Sequence, residues 1–535
     1  MLAVAMEWPV LAQTTNAADD GTVLKQIIVF GRHSIRSATS DTNSLDEYSA
    51  NPTPGFFGVP VGYLTPRGQQ AAGLLGSYFH DYLHHEGLLT GDASSDLAHS
   101  YFRANIIERS YLTAANFGAG LILGATNIPV HTYNPTPNTA PTNADPVFDP
   151  LTAGVAIVDP VRALTEVQGI FGSGTNLSSA YSGELSLISE VLYPPGTQPL
   201  YPGTSPTNNA PPGSFDPTTV PITLATNVPR PSGPPYSSGG VIDMGGLDST
   251  VTAADPFVMQ YADDFPTNEV GWGRFTLNTL SQQTRTITLQ FSICMRSPYL
   301  ATVQSSSAAS HILRSMLQVT GGVPLDGAFG DPQSQVLVII SSDAYVAGLA
   351  GLLNLHWSLP GYQPDFCAPG GALVFELRQV TATGQYLVRV FYTAQTFDQL
   401  RNLTSLTLEE PPATMQLLVP GGSSTTNLDV DFNTFTNLMN AAIGLEYVQP
   451  FDEETPPGVL DPYIADNPTN ITASVSGNTL TIAWPADHIG WILQAQTNGL
   501  SSTNWFDLPG SDAVNAVVIP INPANTSVFY RLRMQ

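Results

Sequence analysis

Two arginines flank a histidine near the start of the chain, in the run Arg32-His33-Ser34-Ile35-Arg36. The chain has only 17 lysines and arginines against 43 aspartates and glutamates. A cluster of basic side chains in such an acidic chain indicates a functional site. An imidazole nitrogen is a competent nucleophile toward phosphorus, and guanidinium groups stabilise the charge that develops on the oxygens of a transferring phosphoryl group. The spacing therefore indicates phosphoryl transfer through a phosphohistidine, without a metal.

Buried strands are predicted to position this chemistry. The apolar run Ile27-Ile28-Val29-Phe30 leads into the cluster, and open α/β folds bind ligands at the carboxyl ends of such strands. Arg109 lies at the junction of a predicted strand, Tyr101–Ile107, and a helix that begins at residue 110. Asp343 follows a third strand, the continuous apolar run 336–340. If the three strands are neighbours, Asp343 lies where it could protonate a leaving alcohol.

Several other motifs accompany the histidine run. They are Leu64-Thr65-Pro66-Arg67-Gly68, Glu108-Arg109-Ser110, Asp145-Pro146-Val147-Phe148-Asp149-Pro150-Leu151, Gly271-Trp272-Gly273-Arg274, Arg296-Ser297-Pro298-Tyr299, Leu359-Pro360-Gly361 and Pro369-Gly370-Gly371-Ala372-Leu373-Val374-Phe375-Glu376. On these motifs, from about residue 24 to residue 376, the chain resembles the histidine acid phosphatase family, in the branch with bacterial periplasmic phytases and glucose-1-phosphatases. The resemblance implies an α/β fold, a Rossmann-like domain with a helical insert, and a phosphomonoesterase without a cofactor.

The resemblance also implies a role for each residue of the cluster. His33 is expected to be the nucleophile that forms a phosphohistidine intermediate, and Asp343 is expected to donate a proton to the leaving group. Arg32, Arg36 and Arg109 are expected to hold the phosphate. A small phosphorylated substrate, such as phytate or a sugar phosphate, is the expected partner.

The chain departs from the family pattern opposite the nucleophile. Ser342 stands where the family has the histidine of its His-Asp pair, and Ser34 and Ala38 replace a glycine and a proline of the signature. A serine can still bind the phosphoryl group, but loss of one transition-state donor commonly lowers a rate by ~10²–10³. Two interpretations follow: an acid phosphatase with a weakened or retuned site, or a phosphatase-like protein that binds phosphorylated ligands or glycans without turnover. The retained nucleophile, arginines and aspartate favour the first.

Composition narrows the partners and the location. A formal net charge of −26 argues against nucleic acid or an anionic membrane surface as partner, and no apolar run of about 20 residues predicts a membrane span. Only 11% of residues are charged, while glycine and proline are abundant, which indicates a secreted or periplasmic bacterial protein. Residues 1–20 are interpreted as a signal-peptide remnant or a disordered N-terminus. Cys294 and Cys367 are compatible with a disulfide or with two buried thiols, and no spacing resembles a zinc site.

The chain is predicted to contain two domains. Residues 21–452 form the phosphatase-like domain, with an insert at about 130–290 that includes an irregular excursion at 196–240 rich in proline, serine and asparagine. Residues 453–469 read as a linker. Residues 470–535 carry short alternating runs separated by turns, which predicts a small all-β, sandwich-like domain.

The C-terminal module has three tryptophans, Trp484, Trp491 and Trp505. They could form a face that binds a glycan or another surface. A sandwich core is expected to use at least two of them, because buried indole rings contribute large apolar area.

Overall fold

The computed structural model describes residues 20–39, 49–52, 58–125, 127–133, 145–151, 153, 156–172, 174–192, 197, 220–224, 241–424, 426–448, 471–484, 491–497, 505–525 and 527–533. Three predicted segments lie outside the described residues: the first 19 residues, the linker at 453–469 and most of the excursion at 196–240. The chain divides into two compact units. The described parts of Met1–Pro54 and Gly62–Gly458 form the larger unit, and those of Gly55–Val61 and Val459–Gln535 form the smaller unit.

Ten strands are described in the larger unit. They are β1 (Thr22–Arg32), β2 (Ser100–Ala104), β3 (Val130–His131), β4 (Thr223–Leu224), β5 (Ile242–Asp243), β6 (Val336–Ser341), β7 (Ala372–Val380), β8 (Tyr386–Ala394), β9 (Ala413–Gln416) and β10 (Val430–Asp431). Eight of them form one sheet in the order β10-β8-β7-β1-β6-β2-β3, with β9 beside β8, and β4 pairs with β5. The sheet is parallel from β1 through β6 and β2 to β3, and antiparallel elsewhere.

Twelve α-helices are described around this sheet. They are α1 (Pro66–His85), α2 (Ala93–Ala98), α3 (Glu108–Leu121), α4 (Pro160–Phe171), α5 (Gly174–Ala180), α6 (Ser182–Leu192), α7 (Gly246–Ala262), α8 (Leu277–Cys294), α9 (Pro298–Gly321), α10 (Asp343–Leu352), α11 (Phe397–Asn402) and α12 (Phe432–Ala442). Short 3₁₀ turns lie at Val270–Gly273 and Leu445–Tyr447. None of the helices described is long and apolar enough to cross a membrane. The fold is therefore a mixed α/β fold, as the sequence predicts.

The three strands expected to carry the site are neighbours. β6 lies between β1 and β2 and is parallel to both, with Arg32 opposite Ser341 and Ala104 opposite Ile340. Every residue of β6 is buried, because helices cover both faces of a central parallel sheet, and this is why the strand reads as one continuous apolar run. The carboxyl ends of β1, β6 and β2 consequently meet at one edge of the sheet.

Two helices beside this edge are held in close contact. Thr65 caps α1 by accepting a hydrogen bond from the Gly68 backbone N–H at 3.0 Å, and Pro66 starts the helix where no N–H is required. A side chain at Gly76 would collide with the Phe117 carbonyl of α3, so glycine allows α1 and α3 to approach closely. This packing holds α3 closely against α1.

The beginning of α3 differs from the sequence prediction. β2 ends at Ala104 rather than at Ile107, and the helix starts at Glu108 rather than at residue 110. The Asn105 N–H still donates to the Ile340 carbonyl at 2.9 Å, after which the chain turns away from the sheet. Arg109 therefore lies within the first turn of α3 instead of before the helix.

The smaller unit contains two three-stranded antiparallel sheets. Its strands are β11 (Thr472–Ser476), β12 (Thr479–Ala483), β13 (Ile492–Gln496), β14 (Phe506–Asp507), β15 (Ala516–Pro520) and β16 (Phe529–Arg533), and a 3₁₀ turn lies at Ser511–Ala513. The sheet orders are β11-β12-β15 and β14-β13-β16. Trp484 and Trp491 are buried, whereas Trp505 is half-buried, with the Arg531 guanidinium carbon 4.3 Å from its ring centroid.

Candidate active site

Arg32 connects the end of β1 to the start of α10. Its side chain is buried, donates to the Cys367 carbonyl at 2.7 Å, and lies 2.9 Å from the Asp343 Oδ2 carboxylate oxygen. Asp343 is the first residue of α10, and its Oδ1 accepts the Ala344 N–H at 3.1 Å. A carboxylate at a helix N-terminus is stabilised by the unpaired N–H groups there. The two side chains therefore form one fixed unit at the edge of the sheet.

Asp255 holds the second arginine of the cluster. Its carboxylate, from α7, lies 3.0 Å from the Arg36 guanidinium and 3.9 Å from that of Arg32. The backbone of Arg36 forms a β-bridge with Leu64, so the arginine is fixed at its main chain and at its side chain. Asp255 was not predicted from the sequence, because nothing in the local pattern of α7 indicates that this residue contacts Arg32 and Arg36.

His33 is buried with its ring orientation fixed. Its Nδ1 lies 2.8 Å from the Ser34 carbonyl oxygen, and because a carbonyl oxygen only accepts hydrogen bonds, Nδ1 carries the proton and Nε2 keeps its lone pair. The backbone N–H donates to Ser341, and the carbonyl accepts from Gly370. Burial holds the pKa of the imidazole well below its usual value of 6.5, and the nearby arginines, with Arg109 foremost, lower it further. The ring is therefore neutral in weakly acidic solution.

Arg109 completes the set of basic side chains. Its guanidinium donates to the Gly62 carbonyl at 3.0 Å, and burial, with the charge of Arg36, lowers its pKa to about 10. Thr113, one turn further along α3, donates its hydroxyl to the Arg109 carbonyl at 2.7 Å and accepts the Ser34 N–H at 3.0 Å. One hydroxyl therefore connects the arginine helix to the loop that carries the histidine.

Two buried carboxyl groups support the site from behind. Glu108 accepts the Leu64 N–H at 2.9 Å, and Asp263 accepts the Thr65 hydroxyl at 2.9 Å. Burial raises the pKa of each carboxyl group to about 7. Both carboxyl groups hydrogen-bond to the segment that pairs with Arg36. The position of that segment therefore depends on two groups that titrate near neutrality.

The two serines that depart from the family pattern fit differently into the site. Ser34 does not need the positive φ that favours glycine, and its hydroxyl is buried without a hydrogen-bond partner among the described residues. Ser342 occupies the N-cap position of α10 with an extended backbone, and its side chain makes no capping hydrogen bond. Its hydroxyl is therefore not used by the helix, and the residue lies directly beside Asp343.

The structure brings all six residues predicted from the sequence to one place. Arg32 is the last residue of β1, His33 and Arg36 follow that strand, and Ser342 and Asp343 follow β6. Arg109 approaches from the first turn of α3. Asp255, Glu108 and the Cys367 carbonyl were missed. The two cysteines are buried free thiols.

Arginines surround a neutral imidazole, and a carboxyl group lies at the adjoining helix N-terminus, which is an arrangement suited to binding and attacking a phosphate ester on an α/β fold. No family model matches the sequence. Over 407 residues the chain is 28% identical to the phytase AppA of Escherichia coli strain K12, an alignment that covers 74% of this chain and 87% of that protein. It is 25% identical over 408 residues to the glucose-1-phosphatase of Providencia rettgeri, with 76% and 88% covered.

Solved structures of phytases are also similar to this chain. The phytase of Hafnia alvei in complex with tartrate superposes with a TM-score of 0.68 at 26% identity, and the match covers 81% of this chain and 100% of that one. The phytase of Citrobacter braakii shares the fold, with a TM-score of 0.67, 23% identity and coverage of 80% and 99%. The chain is therefore similar to phytases and glucose-1-phosphatases, which are histidine acid phosphatases and hydrolyse phosphoric monoesters. The resemblance and the fold class predicted from the sequence are thereby confirmed.

Proposed function

We propose that this protein is an acid phosphomonoesterase of the phytase or sugar-phosphatase type, with His33 as nucleophile and Asp343 as proton donor. The observation that carries the proposal is the neutral imidazole, whose Nδ1 is committed to the Ser34 carbonyl while the charges of three arginines surround it. A neutral Nε2 can attack phosphorus, and the guanidinium groups offset the charge on the phosphoryl oxygens.

The reaction takes two steps. In the first, Nε2 of His33 forms a bond to phosphorus, the bond between phosphorus and the ester oxygen breaks, and the Asp343 carboxyl group protonates the departing alkoxide. In the second, the Asp343 carboxylate takes a proton from water as the water oxygen bonds to phosphorus. The P–N bond then breaks, and its electron pair returns to Nε2. Inorganic phosphate leaves, and Asp343 is again protonated.

The three arginines differ in how firmly they are preorganised. Arg32 and Arg36 are held by Asp343 and Asp255, whereas Arg109 is held by a backbone carbonyl. Donors fixed before the reaction stabilise developing charge without reorganisation. Ser342 contributes its free hydroxyl as one further donor to the phosphoryl group.

The alternative is a weakened or inactive protein that binds phosphorylated ligands or glycans without turning them over. The observation that favours it is Ser342, which brings no positive charge where the family has a histidine. Turnover of p-nitrophenyl phosphate and of phytate across acidic pH separates the two, for wild type, His33→Ala and Ser342→His. We expect turnover by wild type, none by His33→Ala, and a gain of ~10-fold or more with Ser342→His.

His356→Ala provides a matched control, because this histidine lies in the same unit with a 61% exposed side chain. It should behave as wild type. Turnover that survives in His33→Ala would contradict the proposed nucleophile. Absence of His33-dependent turnover in wild type, combined with measurable phosphate binding, would favour the alternative.

We further propose that the protein is secreted or periplasmic, which is supported by its low charged fraction of 11%. Fractionation of the source cells should recover it outside the cytoplasm, and a cytoplasmic pool would contradict this. For the C-terminal module we propose surface or glycan binding through Trp505, the tryptophan that its core does not bury. Trp505→Ala in the full chain should lose binding to insoluble polysaccharide, while Phe506→Ala, at an exposed neighbouring position, serves as the control.

A further inference from the structure

The outer face of one sheet of the smaller unit carries an ordered row of polar side chains. Gln494 of β13 lies opposite Asp507 of β14 on one side and opposite Arg531 of β16 on the other. Its amide nitrogen donates to Asp507 Oδ1 at 2.6 Å, and its amide oxygen accepts the Arg531 Nε–H at 2.8 Å. Leu493 is buried in the core of the unit. Because successive side chains of a strand point to opposite faces, the row lies on the face away from that core.

Arg531 is held in place, but most of its hydrogen-bond donors are not used. Its Nε–H is bound by Gln494, and its guanidinium carbon lies 4.3 Å from the centroid of the Trp505 ring. Neither terminal nitrogen has a hydrogen-bond acceptor or a carboxylate partner among the described residues. The guanidinium group is therefore fixed and exposed, and it can bind an anion through two parallel N–H groups.

The positive charge of the C-terminal module lies on this face. Residues 470–535 contain two arginines and no lysine, against three aspartates and no glutamate. Both arginines belong to β16 and are two residues apart, so they point to the same face. Arg533 lies 3.3 Å from Asp507 Oδ2, whereas Arg531 has no ion pair within the part of the chain that the structure describes. Arg531 is therefore the cation that a ligand of this face can use.

We infer that this face binds a polysaccharide that carries carboxylate groups, namely a polymer of uronic acids. The inference rests on the glycan binding proposed for the C-terminal module and names the class of glycan. The half-buried Trp505 ring offers an apolar surface to a sugar ring, and Arg531 offers a bidentate partner to a carboxylate. A uronic acid presents both groups in one residue of the polymer, whereas a neutral sugar presents only the ring.

The acidic character of the whole chain does not prevent this contact. The Debye length is about 8 Å at physiological ionic strength, so a bound polymer segment responds mainly to the charges of the face itself. Arg531, Arg533 and Asp507 together carry a net charge of about +1, although the net charge of the chain is −26. The local charge is therefore complementary to a carboxylate.

The test compares two polymers with the same backbone, polygalacturonate and its fully methyl-esterified form. The full chain is titrated with each polymer by calorimetry at physiological ionic strength and about pH 7, where the carboxylates are ionised. We expect polygalacturonate to bind on the order of 5-fold more tightly than its ester. Both titrations use wild type, so the result does not depend on how well a variant folds. Equal affinities, or tighter binding of the ester, would overturn the inference.

Three arginine variants locate the contact. Arg531→Gln should lower the affinity for polygalacturonate to that of the ester and should leave binding of the ester almost unchanged. Arg533→Gln makes the same charge change at a side chain that Asp507 already pairs, and it should lower the affinity less. Arg36→Gln, in the candidate active site, should bind polygalacturonate as wild type does. Equal losses in Arg531→Gln and Arg533→Gln, or a loss in Arg36→Gln, would contradict a carboxylate contact at Arg531.

Failure of the glycan binding proposed for the module has a different signature. If wild type binds both polymers equally and Trp505→Ala weakens both, the module binds glycans without selecting carboxylates, and only this inference fails. If wild type binds neither of these polymers nor insoluble cellulose, the proposed glycan binding fails and the inference fails with it.

Discussion

Replacing Glu108 by glutamine should stabilise the protein at neutral and alkaline pH and have little effect in acid. Glu108 is 4% exposed, and its Oε1 has no hydrogen-bond partner among the described residues. Its Oε2 accepts the Leu64 N–H, a hydrogen bond that the glutamine carbonyl can keep. The substitution therefore removes the ionisable group while preserving its main contact.

The size and sign of the effect follow from the pKa of Glu108. Burial raises it from 4.5 to about 7, which corresponds to about 3 kcal/mol. The folded protein keeps this proton while the unfolded chain releases it above 4.5, so the free energy of unfolding falls as the pH rises from 4.5 to 7. Above 7 the folded state bears the full cost of a buried carboxylate, and Glu108→Gln removes that cost.

Urea unfolding of wild type and Glu108→Gln at about pH 4 and about pH 8 measures the difference. The difference in free energy of unfolding between the variant and wild type should be about 3 kcal/mol larger at the higher pH than at the lower pH, in favour of the variant. Glu446→Gln makes the same chemical change at an exposed residue and should show no such gain. A difference between Glu108→Gln and wild type that does not change with pH would refute the reasoning.

Three further predictions concern the same region. Asp263→Asn should show the same pH pattern as Glu108→Gln in urea unfolding, because burial raises the Asp263 pKa from 3.8 to about 7. Thr113→Val should lower kcat on the order of 10-fold, since it leaves the Ser34 N–H unpaired; Thr113→Ser should restore kcat. The pKa of His33 lies well below 6.5, so kcat/KM should not decline as the pH falls through 6.5, and a decline there would show that the free imidazole titrates normally.

The parts of the site that the sequence predicts are those with a local pattern. Arg32, His33 and Asp343 each follow an apolar run, and an apolar run flanked by polar residues is the pattern of a central parallel strand. Arg109 was predicted from its motif, although its helix starts two residues earlier than expected. Short-range patterns therefore mark these site residues, whereas the order of the strands was assumed rather than predicted.

The parts that were missed depend on packing between distant segments. Asp255 lies more than 200 residues from the arginines that it contacts, and the sequence around it predicts only that a helix is present. The Cys367 carbonyl is a backbone acceptor that any residue could supply. The raised pKa of Glu108 requires burial, which its sequence position beside Arg109 does not reveal.

Trapping the phosphorylated intermediate tests the central claim most directly. Wild type is mixed with a labelled phosphomonoester, quenched within the first turnover in base, where phosphohistidine survives, and mapped by peptide mass spectrometry. Transfer through His33 predicts one phosphoryl group on that residue in wild type and none in His33→Ala. Steady turnover without label on His33, or label on another side chain, would contradict the proposed mechanism.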